Sequence, residues 1–138
     1  MLIRQQSRRK IRFSNGCWWY GDARCNDWIR ICGLIAQSGW QVMPLCRSLE
    51  ISRRTFDRIA EESFGISTKE WLRSLRAVKA GFLLREGRRI DEVATLLGFS
   101  NASDFSREFK RIVGVTPTEF QASEKKRAQS WLAESREN

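Results

Sequence analysis

The 138-residue chain contains no histidine. That removes Ser-His and Cys-His nucleophiles, imidazole acid/base catalysis and histidine metal ligands from consideration. Only two prolines are present, which favours long helices over a loop-rich fold. No apolar run approaches the roughly 18 residues of a membrane span. The basic N-terminus, Met1 to Arg12, lacks the apolar segment that would follow in a secretory signal. The expected setting is therefore cytoplasmic, with no membrane partner. The four cysteines, Cys17, Cys25, Cys32 and Cys46, are spaced by 8, 7 and 14 residues with no C-x-x-C pair. Tight zinc sites usually rest on such a pair, so no metal is expected, and in a reducing compartment all four are expected as thiols. Paired carboxylates, a phosphate-cradling glycine loop and a catalytic triad are also missing. The chain reads as a non-enzyme without a cofactor.

What is abundant is positive charge. Lys and Arg number 25 against 16 Asp and Glu, a net charge of +9, with 41% hydrophobic residues. The hydrophobic share suffices for a packed core, and the charge points to a polyanion. Its distribution is uneven. Residues 1–30 hold seven basic and two acidic residues, and residues 66–90 again hold seven and two, whereas 31–65 balance and 91–122 are slightly acidic.

Helical periodicity runs through most of the chain and no convincing strand is apparent. Asp27 to Ser38 places Trp28, Ile31, Cys32, Ile35 and Ala36 at helical spacing, with Gly39 as a stop. Val42 to Leu49 is a short helix with Leu45, Cys46 and Leu49 inward. After the turn Glu50-Ile51-Ser52, with Ser52 as N-cap, a helix from Arg53 to Ser63 buries Phe56, Ile59 and Ala60. Ser67-Thr68-Lys69-Glu70 is a capping box opening a helix to about Arg85, on which Trp71, Leu72, Leu75, Val78, Phe82 and Leu83 recur. Gly87 stops it. Ile90 to Leu97 is short, with Asp91 and Glu92 in its first turn. Gly98 closes it, and Ser100 or Asn101 caps the next helix, Ala102 to Val113. Thr116-Pro117 opens a last helix. The aromatics Trp28, Trp71, Phe82, Phe99, Phe105 and Phe109 are expected in the core.

Two segments share one plan. Leu45-Cys46 leads through Leu49-Glu50-Ile51-Ser52 into a helix; Val93-Ala94 leads through Leu97-Gly98-Phe99-Ser100 into another, 48 positions on. A short helix with a small inward residue, a tight turn and a capped second helix make a helix-turn-helix. The helix between the copies would span roughly 28 Å. Neighbouring major grooves on one DNA face lie about 34–36 Å apart, so one chain could serve two grooves without dimerising.

These residues resemble the DNA-binding domain of the AraC/XylS family of bacterial transcription regulators. Ile90-Asp91-Glu92-Val93-Ala94, Gly98-Phe99-Ser100-Asn101-Ala102-Ser103-Asp104-Phe105-Ser106-Arg107-Glu108-Phe109-Lys110 and Gly114-Val115-Thr116-Pro117 follow its signature. Leu75-Arg76, Ala80, Leu83-Leu84, Leu49, Ile51-Ser52 and Phe56 agree with it too. Residues 28–121 are covered. The resemblance implies an all-α fold of about seven helices, in which two helix-turn-helix subdomains (28–66 and 87–121) are joined by a long linker helix (67–86). It implies sequence-specific binding of double-stranded promoter DNA, contact with RNA polymerase, and activation as the usual outcome. About 27 residues precede the match, as in short stand-alone members such as MarA and SoxS. Asp104 stands where the family usually has an aromatic residue or histidine, Gln121 where arginine is frequent, and Ala77 where a larger aliphatic is usual.

In a helix-turn-helix the exposed N-terminal residues of the second helix enter the groove. In the first module these are Arg53, Arg54, Asp57 and Arg58. The arginines can donate bidentately to guanine, and Asp57 can accept from cytosine or hold a neighbouring arginine. In the second module they are Asn101, Ala102, Ser103, Ser106 and Arg107, with Lys110 and Arg111 further along toward phosphate. A solvated ion-pair face is the alternative. Arg76, mid-linker, is either an internal anchor or a DNA contact. The basic residues of 1–27 suit DNA backbone or a minor groove or a merely solvated tail, and Trp18-Trp19-Tyr20 either packs back on the first module or marks a partner surface. Residues 122–138 form a charged, partly helical tail. The expected complex is a monomer on DNA. Two alternatives stand beside it: a thiol- or metal-responsive sensor, and a polymerase-binding adaptor with weak DNA affinity.

Overall fold

The computed structural model describes residues 9–136. They form two compact units that meet in sequence between Arg73 and Ser74. The elements are β1 (Lys10–Ser14), β2 (Cys17–Gly21), β3 (Ile29–Arg30), α1 (Cys32–Gln37), α2 (Val42–Leu49), α3 (Arg53–Phe64), α4 (Thr68–Arg85), α5 (Ile90–Leu96), α6 (Ala102–Val113) and α7 (Pro117–Arg136). Among the described residues the fold is thus mainly helical with seven helices, as the resemblance implies.

The N-terminal part departs from expectation. A three-stranded antiparallel sheet, ordered β1-β2-β3, occupies residues read from sequence as a basic arm and as the start of a helix. Asn15 and Gly16 sit between two runs that pair Lys10 with Gly21 through Ser14 with Cys17. Both have positive φ, 52° and 72°, the requirement of the tight turn that matches strand twist. Asn-Gly is the sequence signature of that turn, and the arginines around it masked the signal. The helix expected from Asp27 is correspondingly shorter, because Ile29 and Arg30 pair with Tyr20 and Trp19. Gly21 is obligatory here: a Cβ would lie 2.7 Å from the Asp27 carbonyl oxygen and from the Trp28 Cα.

The sheet's inner face forms part of the first unit's core. Tyr20 and Phe56 meet edge to face at 6.2 Å. Trp18 meets Phe64 and Trp71 the same way at 5.5 and 5.2 Å, a geometry that aromatic quadrupoles favour. Trp18 and Tyr20 therefore pack back on the first module. Ile31, Ile35, Leu45, Ile59 and Leu72 complete this core. The sheet also corrects the expectation of four thiols. It brings Cys17 to within 6.3 Å (Cα–Cα) of Cys32, and the two form a disulfide; Cys25 and Cys46 are free.

In the second unit, Phe99, Phe105, Phe109 and Phe120 form a chain of rings with centroids 5.3, 5.7 and 5.5 Å apart. Helix α4 contributes small side chains to it rather than the large ones expected. Ala77, Ala80, Leu83 and Leu84 are buried, whereas Val78 and Phe82 are exposed. Gly81 lies where a Cβ would come 3.5 Å from the Phe120 ring. Gln121 donates from Nε2 to the carbonyls of Leu84 and Arg88, both at 2.9 Å, tying α7 to the last turn of α4 and to the turn that follows it. Thr116 and Glu119 form a reciprocal capping box on α7, with Pro117 at the first helical position.

Candidate nucleic-acid interface

Each module presents the capped helix that its sequence anticipates. In the first, Ser52 accepts from the Thr55 amide at 3.1 Å, and α3 ends on Gly65 in the left-handed region. In the second, Asn101 Oδ1 accepts from the Asp104 amide at 2.8 Å, and α6 ends on Gly114 in the same way. The preceding turns also correspond. Glu50 (φ 55°) and Gly98 (φ 80°) occupy equivalent left-handed positions, and Cys46 and Ala94 are the small buried residues before them. The caps and the buried faces, Phe56-Ile59-Ala60 on α3 and Phe105-Phe109 on α6, leave one face of each helix for solvent.

On α3 that face carries Arg53, Arg54 and Arg58. Arg53 lies 3.6 Å from Asp57 and Arg58 lies 3.5 Å from Glu62, pairs in the exposed range worth little energetically. Arg54 makes no ion pair among the described residues. Asp57 turns inward. Its Oδ1 accepts from the Thr68 amide at 3.1 Å, so this carboxylate joins α3 to the first turn of α4, where an anion is favoured by the helix dipole. That engagement, with Arg53 on its other oxygen, suits a positioning role more than a base contact. The arginines of the first module thus stand together, with Asp57 behind them.

On α6, Ser103, Arg107, Lys110 and Arg111 are exposed, while Ala102 and Ser106 are half-buried. Arg107 lies 3.6 Å from Asp104. Asn101 and Asp104 are engaged with each other at the cap, so Asn101 reaches outward only by giving up a capping bond. Arg76 is an internal anchor. It donates from Nε and Nη2 to Glu108 at 3.1 and 2.6 Å and covers the Phe99 ring at 3.9 Å. The sequence alone did not single out Glu108. Its position three residues beyond Phe105, with an aromatic on either side along the helix, was the available signal.

Burial raises the Cys46 thiol above its ordinary pKa, with Asp57 nearby adding to the effect. It is a packing residue rather than a reactive one. No helix among the described residues is long and apolar enough to cross a membrane.

The comparisons agree with this geometry. A family model described as a helix-turn-helix domain matches residues 45–123. Over 70 residues the chain is 41% identical to the HTH-type transcriptional regulator RipA of Corynebacterium diphtheriae, which covers 51% of this chain and 21% of that protein. Over 79 residues it is 34% identical to the HTH-type transcriptional activator RhaR of Cronobacter sakazakii, covering 56% of this chain and 28% of that one. The chain therefore spans well under a third of the length of these curated relatives. Among solved structures, the DNA-binding domain of AdpA in complex with a target DNA superposes with a TM-score of 0.61 at 28% identity, over 70% of this chain and 91% of that one. A transcriptional regulator from Chromobacterium violaceum with an AraC-type DNA-binding domain, 22% identical, shares the fold with a TM-score of 0.60 over 67% of this chain and 86% of that one. With the family model spanning more than half of the chain and both helix-turn-helix modules in place, the protein belongs to the AraC/XylS family of helix-turn-helix transcription regulators.

Proposed function

We propose that the protein is a sequence-specific regulator that binds double-stranded promoter DNA as a monomer, using α3 and α6 as recognition helices in two successive major grooves. The observation that carries this reading is the repeated unit: each module holds a capped helix by its aromatic face and offers arginine on the exposed half, Arg54 and Arg58 in one, Arg107 in the other. Lys110 and Arg111 meet phosphate; Ser103 and Ser106 border the base edges, with Asn101 and Ala102 at the helix start. Activation through contact with RNA polymerase is the accompanying proposal, supported by relatives named as activators. Footprinting on genomic fragments tests it, followed by binding isotherms on the protected site and on scrambled duplex. The expected result is one asymmetric site of about 20 base pairs bound by one chain. Arg58→Ala and Arg107→Ala each lose roughly 1–3 kcal/mol of specific binding with little loss on scrambled DNA. A palindromic site occupied by a dimer, or variants indistinguishable from wild type on both duplexes, would overturn it.

A thiol-responsive version is favoured by one observation, the Cys17–Cys32 disulfide beside Trp18. Trp18 also packs on Phe64 of α3. Affinity measured with and without reductant, and in Cys17→Ser, distinguishes it from constitutive binding.

A further inference from the structure

The outward face of the N-terminal sheet has a composition that the helix-turn-helix function does not use. Pairing places Arg12 opposite Trp19, and Trp19 opposite Arg30. These three therefore form one row across all three strands on the face away from Tyr20 and Trp18, with Lys10 at the edge. At about 4.8 Å per strand, the row is roughly 10 Å long. Neither guanidinium meets a carboxylate among the described residues. Arg12 instead lies over the Trp28 ring at 3.9 Å, and Arg30 donates from Nε to the Cys17 sulfur at 3.0 Å. Of the two carboxylates at the strand ends, Asp27 is paired with Arg9 at 2.8 Å and Asp22 accepts from the Arg24 amide at 2.8 Å. Solvated surface arginines usually sit beside acidic partners or move freely. These two are exposed, yet held by a ring and a sulfur.

The location matters as much as the charge. Tyr20, paired with Ile11, touches Phe56 near the start of α3; Trp18, paired with Phe13, touches Phe64 at its end. Strand β1 therefore runs alongside α3 in the same direction, with Lys10 toward the end of α3 that carries Arg53 and Arg54 and Arg12 at mid-strand. From this arrangement we infer that the outer sheet face is a second DNA-contacting surface. On this assignment Lys10, Arg12 and Arg30 neutralise duplex backbone phosphates outside the groove entered by α3, because their face is turned away from that helix, and the Trp28 ring keeps Arg12 in place. The inference rests on the proposed DNA binding of the first module. Duplex DNA is the occupant that fits, because a row of fixed cations without a carboxylate complements a line of phosphates, and phosphate contacts set position without reading bases.

The test uses the full chain on a footprinted duplex extended by about ten base pairs on the side of the first module. Arg12→Gln with Arg30→Gln is compared with Arg12→Lys with Arg30→Lys, both checked for wild-type melting. Two lost phosphate contacts should make the log affinity–log salt slope shallower by about 1.8. Hydroxyl-radical protection in the extension should disappear, while discrimination against scrambled DNA persists. The lysine variant should retain most of the slope and the protection. If wild type binds the site but the glutamine variant shows unchanged slope and footprint, the inference fails and the recognition-helix reading survives. If wild type binds no duplex specifically, both fail. Unchanged DNA binding with lost promoter-dependent transcription would assign the face to a protein partner, which also overturns it.

Discussion

Arg76 and Glu108 form a two-bond ion pair, at 3.1 and 2.6 Å, that ties the middle of α4 to the inner face of α6. Their side chains are only 16% and 13% exposed, and the guanidinium is stacked on Phe99. Such a pair does not add much net stability relative to an apolar substitute, but removing one member takes a close partner from a largely buried charge. Arg76→Ala or Glu108→Ala should each cost about 3–5 kcal/mol, whereas Arg76→Leu with Glu108→Leu should recover most of it. Urea midpoints of the three variants check this. Equal loss in the double variant would show that the pair is not acting as a unit.

Asp57 accepts from the Thr68 amide, so its removal should act on stability before recognition. Asp57→Ala should cost about 1 kcal/mol, the size of a lost helix-terminal acceptor. Its ratio of affinities for specific and scrambled duplex should stay near wild type. A variant of unchanged stability that tolerates altered bases would make Asp57 a base reader after all.

Where local rules were clean, the sequence was sufficient. Ser52, Asn101, Gly65 and Gly114 end or begin helices where their chemistry demands it, and the repeated turn was visible from Leu49-Glu50-Ile51-Ser52 and Leu97-Gly98-Phe99-Ser100. The sheet was missed because its turn signal, Asn15-Gly16, lies among arginines that dominate a composition reading, and because Trp18 and Tyr20 alternate with an outward Trp19. The buried face of α4 was misjudged because large apolar side chains were counted as the stripe, while Ala77, Ala80 and Gly81 make the close approach. From the sequence, Asp57 and Asn101 read as candidate groove-facing residues. Only the fold reveals that their oxygens are occupied, because Thr68 lies eleven positions from Asp57.

Glu50 holds a left-handed conformation, φ 55° and ψ 41°, at the turn position that the second module fills with Gly98. A Cβ in that region costs about 1–2 kcal/mol, partly offset by the greater unfolded-state freedom of glycine. Glu50→Gly should therefore stabilise by about 0.5–1 kcal/mol, and Gly98→Ala, at φ 80°, should destabilise by about 1–2 kcal/mol. Denaturant unfolding of the two single variants tests the opposite signs.

Asp27 accepts from the Asp22 amide and pairs with Arg9. The Asp22 hydrogen bond, with Arg9 adding to it against a smaller opposing effect of burial, holds its carboxyl below the ordinary 3.8. A depressed folded-state pKa means the contribution is present above the unfolded value and lost as pH falls through the folded one. Melting followed by tryptophan emission, to which all six tryptophans contribute, should show an acid-dependent loss below about pH 4. Asp27→Asn should show a smaller one. Identical pH profiles would exclude this carboxylate as a source of acid sensitivity.

Asp104 has two opposed effects, and they should separate experimentally. It lies in the first turn of α6, where a negative charge interacts favourably with the helix N-terminus, an effect of about 0.3–1 kcal/mol. It also lies 3.6 Å from Arg107, on the side of the helix proposed to face DNA, where a carboxylate would repel phosphate and compete for the guanidinium. At that separation in water the attraction between unit charges is about 1 kcal/mol. Asp104→Asn keeps the size of the side chain and removes the charge. Stability should fall by a few tenths of a kcal/mol to about 1 kcal/mol, while DNA affinity rises by several-fold at low salt and less at high salt. The gain should vanish in the Arg107→Ala background if release of Arg107 is its main source, and persist if general repulsion is. Binding isotherms for the four members of this cycle, at two salt concentrations, decide between them. A fall in affinity for Asp104→Asn with folding intact would mean that the carboxylate positions Arg107 for the base edge, and that its departure from the family pattern serves recognition.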